Sequence, residues 1–258
     1  MEKEVTVRPR GLNSRGLHFW GMVFATLGII SRGVFQRHLL GMGTLSGSQL
    51  LETMNTNPDA MIYATAALLL LAVETCAVPV FVFLAMEGAQ QTNHYLRYLG
   101  RVAVMALVSE IPYNLLVSGE VLDTSSRNPA FGVVLCLIMM YFYRRYEPVC
   151  PGNTALKAIV TAAAFLWSVM LRIEYGGCFV VLLGVMWLFR KKPLYRNLST
   201  AVAAVVCSLM YPLFMAAPMG ALVIHGYNGE RGKVSRLRSY AAYPVLMLLV
   251  WLATEFVL

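Results

Sequence analysis

AMIYATAALLLLAVETCAVPVFVFLAMEG, residues 60–88, is a 29-residue apolar run interrupted by one charge, Glu74, before Glu87 closes it. A run of this length reads as a membrane helix, because a straight span needs only about 20 apolar residues. As one straight helix it would reach roughly 43 Å, well beyond the ~30 Å of bilayer hydrocarbon, so it has to tilt, break or protrude. Pro79 lacks a backbone donor and would clash with the carbonyl of Thr75, which predicts a kink or break within ETCAVP, residues 74–79.

Outward from this run the same pattern repeats. Candidate spans fall at about 17–36, 60–88, 98–118, 129–143, 155–171, 176–189, 198–214, 217–228 and 239–257. The segment 217–228, APMGALVIHGYN, is too short to cross alone, and with the preceding span it could form one re-entrant unit. Residues 37–59 are rich in Gly, Ser and Asn and read as an outer loop with one interfacial turn at Gln49 to Met54. Residues 1–16 form a charged tail followed by no small-residue cleavage site, so the first span is retained. The reading is therefore all-α: a polytopic transmembrane bundle of about 8–10 segments, one integral domain over 1–258, with no soluble domain and no internal repeat.

Basic residues orient it. Lys3, Arg8, Arg10 and Arg15, then Arg97 and Arg101, then Arg144, Arg145 and Lys157, then Arg190 to Lys192 and Arg196, then Arg231, Lys233, Arg236 and Arg238 occupy every second connection, 17 of the 21 Lys and Arg. This alternation follows the positive-inside bias and puts the N-terminus in the cytoplasm. Composition agrees, with 58% hydrophobic residues, 13% charged and a mean hydropathy of +0.63. The net charge of +8 sits at segment ends rather than on one aromatic-interleaved face, which argues for anionic lipid and against nucleic acid. Cys76, Cys136, Cys150, Cys178 and Cys207 form no CxxC pair and read as small hydrophobes; no metal site is expected.

Charges inside the membrane cost roughly 2.5–3.5 kcal/mol each on insertion scales and mark function by default. Counted from the basic ends, Arg32, Glu74 and Glu110 lie about 18–22 Å deep, and Arg127, Arg172 and Glu174 close neighbouring spans at similar depth. One reading is a polar cavity open to the outer face, with arginines holding an anionic or carbonyl group and a glutamate as base. The other is a set of interhelical ion pairs and snorkelling end residues. His18, His94 and His225 fall near the cytoplasmic interface and His38 in the outer loop, sharing no face. Ser31, Ser109 and Ser208 lack G-x-S-x-G or S-x-x-K context, and neither a P-loop nor a GxGxxG occurs.

ETCAVPVFVFLAMEGAQQT (74–92), YLGRVAVMALVSEIPYNLLVSG (98–119), NPAFGVVLCL (128–137), EYGGCFVVLLGVMWLFR (174–190) and YNGERGK with SYAAYPVLMLLV (227–250) resemble the TraX family in sequence, order and spacing. The matching positions are Pro79, Glu87 and Gly88; Arg101; Glu110, Pro112 and Asn114; Asn128 and Phe131; Glu174, Tyr175 and Gly176; Asn228, Gly229, Arg231 and Gly232; and Tyr243 with Pro244. The resemblance implies a polytopic bacterial inner-membrane protein related to acyltransferases; the namesake acetylates the N-terminus of conjugative pilin. Acetyl-CoA or another acyl-CoA is the implied co-substrate, and a peptide, glycan or lipid the acceptor. Many relatives carry an Asp-His pair near the end of the first span, where this chain has Ser31 and Arg32.

Under that resemblance, Glu110 or Glu74 acts as base with Arg32 as clamp. Arg172, Glu174, Tyr175, Arg127, Asn128 and Asn114 face the acceptor, while Arg101, Asn228 and Arg231 meet the phosphates of acyl-CoA. Two other readings fit the same residues: a permease in which buried Glu and Arg line a solute or proton path, and a non-catalytic scaffold in which the ionic cluster only specifies packing.

Overall fold

The computed structural model describes residues 11–41, 49, 52, 56–148, 150–230, 232 and 236–256. Most of the outer loop, most of the N-terminal tail and Arg231 lie outside the described residues. Among the described residues the chain is helical, without a strand, as the hydropathy pattern predicts.

The first helix, α1 (Ser14–Ile30), is capped by Asn13, whose Oδ1 accepts from the Gly16 amide at 2.9 Å. It continues into Ser31–Leu39, where the ladder widens to i→i+5 bonds, a geometry rare outside functional sites. Next come α2 (Pro58–Glu74), α3 (Ala77–Gln91), α4 (Tyr95–Val117), α5 (Ala130–Arg145), α6 (Pro151–Met170), α7 (Gly176–Leu188) and α8 (Pro193–Cys207). A 3₁₀ turn over Pro212–Ala216 leads into α9 (Pro218–His225), and α10 (Arg236–Phe256) follows. Proline opens α2, α6, α8 and α9, where its missing donor costs nothing.

The long run 60–88 breaks, though not at Pro79. The interruption is at Thr75 and Cys76, between α2 and α3, and Thr75 Oγ1 donates to the Ala72 carbonyl at 2.7 Å. Pro79 sits in the first turn of α3, where it is tolerated, so the proline permits the break three to four residues upstream. Among the described residues four helical stretches are long and apolar enough to cross a membrane: Ser14–Leu39, Pro58–Gln91, Tyr95–Val117 and Pro151–Met170. Large apolar side chains such as Leu69, Leu107, Val169, Leu209 and Leu222 stand exposed on the outer faces, as a lipid solvent requires.

The remaining helices are short for a reason. α5, at 16 residues, and α7, at 13, reach only about 24 and 20 Å, and both start inside the bundle rather than at its edge. α8 and α9 form a hairpin that enters and leaves at the same end: Asn197 Nδ2 lies 3.4 Å from His225 Nδ1, and Leu12 pairs with Tyr227 beside the start of α1. The tip of this hairpin reaches the α2–α3 break, where Cys76 Sγ donates to the Ala216 carbonyl at 3.1 Å. Gly220 is required there, since a Cβ would stand 2.6 Å from Pro79 Cγ and against the Cys76 carbonyl. The core between α3, α5 and α7 is filled by Phe83, Met86, Leu137, Met140, Leu182 and Met186.

Candidate functional site

The buried charges meet where α1 widens. Ser31 Oγ donates to the Ala67 carbonyl of α2 at 2.8 Å, which fixes the next residue, Arg32, against the last residue of α2. Arg32 Nη1 donates to both oxygens of Glu74 at 2.8 Å, and Arg32 Nη2 to Glu174 Oε1 at 2.5 Å. The Glu74 carboxylate lies directly over Gly28, one turn below Arg32, in space that any side chain at 28 would occupy. Tyr113 donates to the other oxygen of Glu174 at 2.9 Å and contacts Ser126 Oγ at 3.2 Å.

A second group adjoins it. Arg127 Nη1 donates to Glu110 Oε1 at 2.8 Å, and Asn128 donates to Glu110 Oε2 from its side chain at 2.6 Å and from its backbone at 3.2 Å. Asn128 also caps α5, accepting from the Ala130 amide at 2.9 Å. The two groups are stitched together through backbone: the Arg127 amide donates to the Arg172 carbonyl at 2.9 Å and the Glu174 amide to the Arg127 carbonyl at 3.0 Å. The turn that presents Glu174 is bracketed by two non-glycine residues at positive φ, Arg172 (52°) and Tyr175 (57°), a conformation retained where surrounding contacts enforce it.

Charge does not balance among the side chains alone. Three carboxylates, Glu74, Glu110 and Glu174, face two guanidiniums, Arg32 and Arg127. The N-termini of α5 and α7 both start at this cluster, and each contributes roughly half a positive charge. The two half-length helices thereby offset part of the excess negative charge, and no local sequence signal announces it.

An apolar cavity of about 270 Å³ ends at this cluster. Glu74, Tyr175 and Tyr243 line it where it meets the cluster, and Ser14, His18 and Tyr98 line it as well. Beside the cluster, α2 and the widened segment Ser31–Leu39 are pinned together at Ser31 and Ala67.

A polar network surrounds the other end. Tyr227 donates to Glu87 Oε1 at 3.2 Å and contacts Ser14 Oγ at 3.2 Å, while Gln91 Nε2 donates to Glu87 at 2.5 Å. Burial pushes the Tyr227 phenol above its ordinary pKa, so it stays a donor. Arg196 stacks over Phe83, 4.6 Å from the ring centroid. Asn228 and Glu230 lie against the α1 start, with the Asn228 amide donating to the Leu12 carbonyl at 2.9 Å and the Ser14 amide to the Glu230 carbonyl at 3.0 Å. Gly88 accommodates the Tyr98 hydroxyl, which explains the EG element.

The structure thus brings together Arg32, Glu74, Glu174, Tyr175, Glu110, Arg127 and Asn128. It does not bring Arg172 in: that side chain is exposed and forms no ion pair among the described residues, because the positive φ turns it away. Asn114 is buried and donates to the Val121 carbonyl at 3.3 Å, holding the 118–129 loop while its Oδ1 has no partner. Arg101 lines a groove between α4 and α10, and Asn228 lies beside the start of α1. Tyr113, Ser14 and His18 were not singled out by sequence. Tyr113 lies within the SEIPYN element and could have been found there, whereas His18 gains its neighbours only from other helices. Among the described residues no three His, Cys, Asp or Glu side chains group to hold a metal ion.

No curated protein and no solved structure matches the chain. The family model described as TraX protein matches residues 53–254, a stretch that contains every element of the cluster except Arg32 and every lining helix of the cavity except α1. The chain belongs to the TraX family.

Proposed function

We propose that this chain is a bacterial inner-membrane acyltransferase, N-terminus in the cytoplasm, that takes the acyl end of acyl-CoA into the cavity and passes the acyl group to an amine or hydroxyl of a peptide, glycan or lipid at Glu74. The observation that carries this reading is the cavity itself: an apolar space with one carboxylate, Glu74, among its lining residues. At ~30 Å³ per water-sized group it holds about nine such groups, a volume that suits a short acyl chain. A network of Ser14, Tyr227, Glu87 and Arg196, with Asn228 beside it, suits a polar, phosphorylated head.

In this reading Glu74 accepts the proton as the acceptor nitrogen or oxygen attacks the thioester carbonyl carbon. The C–S bond then breaks and the leaving thiolate recovers the proton. The Tyr243 and Tyr175 phenols, at the same end, supply donors for the oxyanion. Arg32 positions Glu74. Glu110, bonded to Arg127 and Asn128, is not among the residues lining the cavity and holds α5 rather than serving as base. The test is a photoreactive acyl-CoA: crosslinks within 18–25 and 77–85 support the reading, and Ala85→Trp, which fills the cavity, should abolish them. Crosslinks elsewhere, unaffected by that variant, would refute it.

One observation favours a permease instead, namely two half-length helices whose N-termini meet at a buried charge cluster. Solute or proton flux in liposomes, lost in Glu74→Gln, would select that reading.

A further inference from the structure

Between α4 and α10 the outer face carries a groove of about 1120 Å³ that is separate from the inner cavity. Its basic end holds Arg97 and Arg101, one turn apart on α4, both exposed and neither ion-paired among the described residues. Beyond them the walls are apolar: Val104, Val108 and Ile111 on α4, Val245 and Leu248 on α10. From Arg101 to Pro112 is 11 residues, about 16 Å of helix, close to half of the ~30 Å hydrocarbon. The groove therefore has the depth of a single leaflet and cations at one end only. Gly100 leaves it open between the arginines, since a Cβ there would meet nothing within 4 Å.

We propose that this groove is a binding site for one anionic phospholipid, whose phosphate seats on Arg97 and Arg101 and whose acyl chain lies along Val104, Val108 and Ile111. A second helix or a second copy of the chain would cover the apolar walls but would leave two guanidiniums unpaired at headgroup level. A phospholipid satisfies both at once. Met105 and Tyr240 line both the groove and the inner cavity, so the bound chain also seals the cavity wall from outside. The site stands independently of acyl transfer.

The test is native mass spectrometry of the purified chain in detergent, titrated with phosphatidylglycerol, phosphatidylcholine and chain-free glycerophosphoglycerol. Wild type should hold one phosphatidylglycerol in clear preference to phosphatidylcholine and should not retain the chain-free head. The Arg97→Gln/Arg101→Gln pair should weaken phosphatidylglycerol about 30-fold, from ~1 kcal/mol per basic residue, and leave phosphatidylcholine unchanged. Gly100→Leu, which fills the groove from an exposed helical position, should weaken both lipids. Phosphatidylglycerol binding that survives the double variant or Gly100→Leu overturns the proposal. So does equal retention of the chain-free head, or a dimer that Gly100→Leu dissociates.

Discussion

Gly28→Ala should destabilise this protein although the same change in a helix interior normally helps. Alanine outranks glycine by up to ~1 kcal/mol in helix propensity, and α1 is regular at this position. Here, however, the added Cβ would stand 2.5 Å from Glu74 Oε1 and closer still to the rest of the carboxylate. Glu74 is a buried residue at the end of α2 and cannot swing into solvent, so it must leave Arg32. Separating a buried ion pair costs about 3–5 kcal/mol, which leaves a net loss of about 2–4 kcal/mol, or a 30- to 1,000-fold shift in the folding equilibrium. Since Arg32 keeps Glu174, the lower end is expected. Reversible unfolding in mixed detergent–SDS micelles, followed by circular dichroism, measures it. Two controls bracket the result: Gly100→Ala, with nothing near its Cβ, should stabilise, and Gly28→Ala in a Glu74→Ala background should lose its penalty. A Gly28→Ala variant as stable as wild type, or a penalty that persists without Glu74, would refute the argument that Gly28 exists to seat this carboxylate.

Removing the shared cation should cost more than removing one of its partners. Arg32→Met strands Glu74 and Glu174 and should lose 3–5 kcal/mol or more, whereas Glu74→Gln leaves a one-to-one pair with Glu174 and should lose about 1 kcal/mol by the same unfolding assay. Asn128→Ala removes an N-cap and a bond to a carboxylate, together about 3 kcal/mol, and should raise amide exchange first at Ala130 and Phe131. In the exposed 118–129 loop, hydrogen bonds from the Ser125 hydroxyl and amide hold the Asp123 carboxyl below its ordinary 3.8. A depressed acid stabilises above its unfolded value and loses that contribution as pH falls through the native one, so protection of the Ser125 amide should persist at neutral pH and disappear in acid, and Asp123→Ala should be insensitive to pH there.

Run length and charge placement carried most of the fold into the sequence. Each segment boundary of 98–118, 155–171 and 176–189 recurs within a few residues in α4, α6 and α7, because polar and turn-forming residues end both the apolar runs and the helices. Depth counting also placed Arg32, Glu74 and Glu110 among the buried charges, since each lies inside an apolar run too long to expose it. Partner choice was not legible. Arg32 and Glu174 are 142 positions apart, and nothing in GIISRGVF distinguishes a side chain that reaches two glutamates from one that snorkels. Arg127 and Arg172 look alike in sequence, yet one pairs with Glu110 and the other is turned outward by its backbone. The packing of α2 against Ser31–Leu39 was hidden for the same reason, since it is a contact between segments joined by the 40–57 stretch.

The most direct test of the central claim is transfer of label from radiolabelled acetyl-CoA to any peptide, glycan or lipid in membranes that contain this protein, compared between wild type and Glu74→Gln. Glutamine keeps the shape and the Arg32–Glu174 pair while removing the proton acceptor. The account predicts label with wild type and at least a hundredfold less with Glu74→Gln at equal folded protein, the loss typical of removing a general base. Equal labelling by both, or no label from folded wild type, would contradict it.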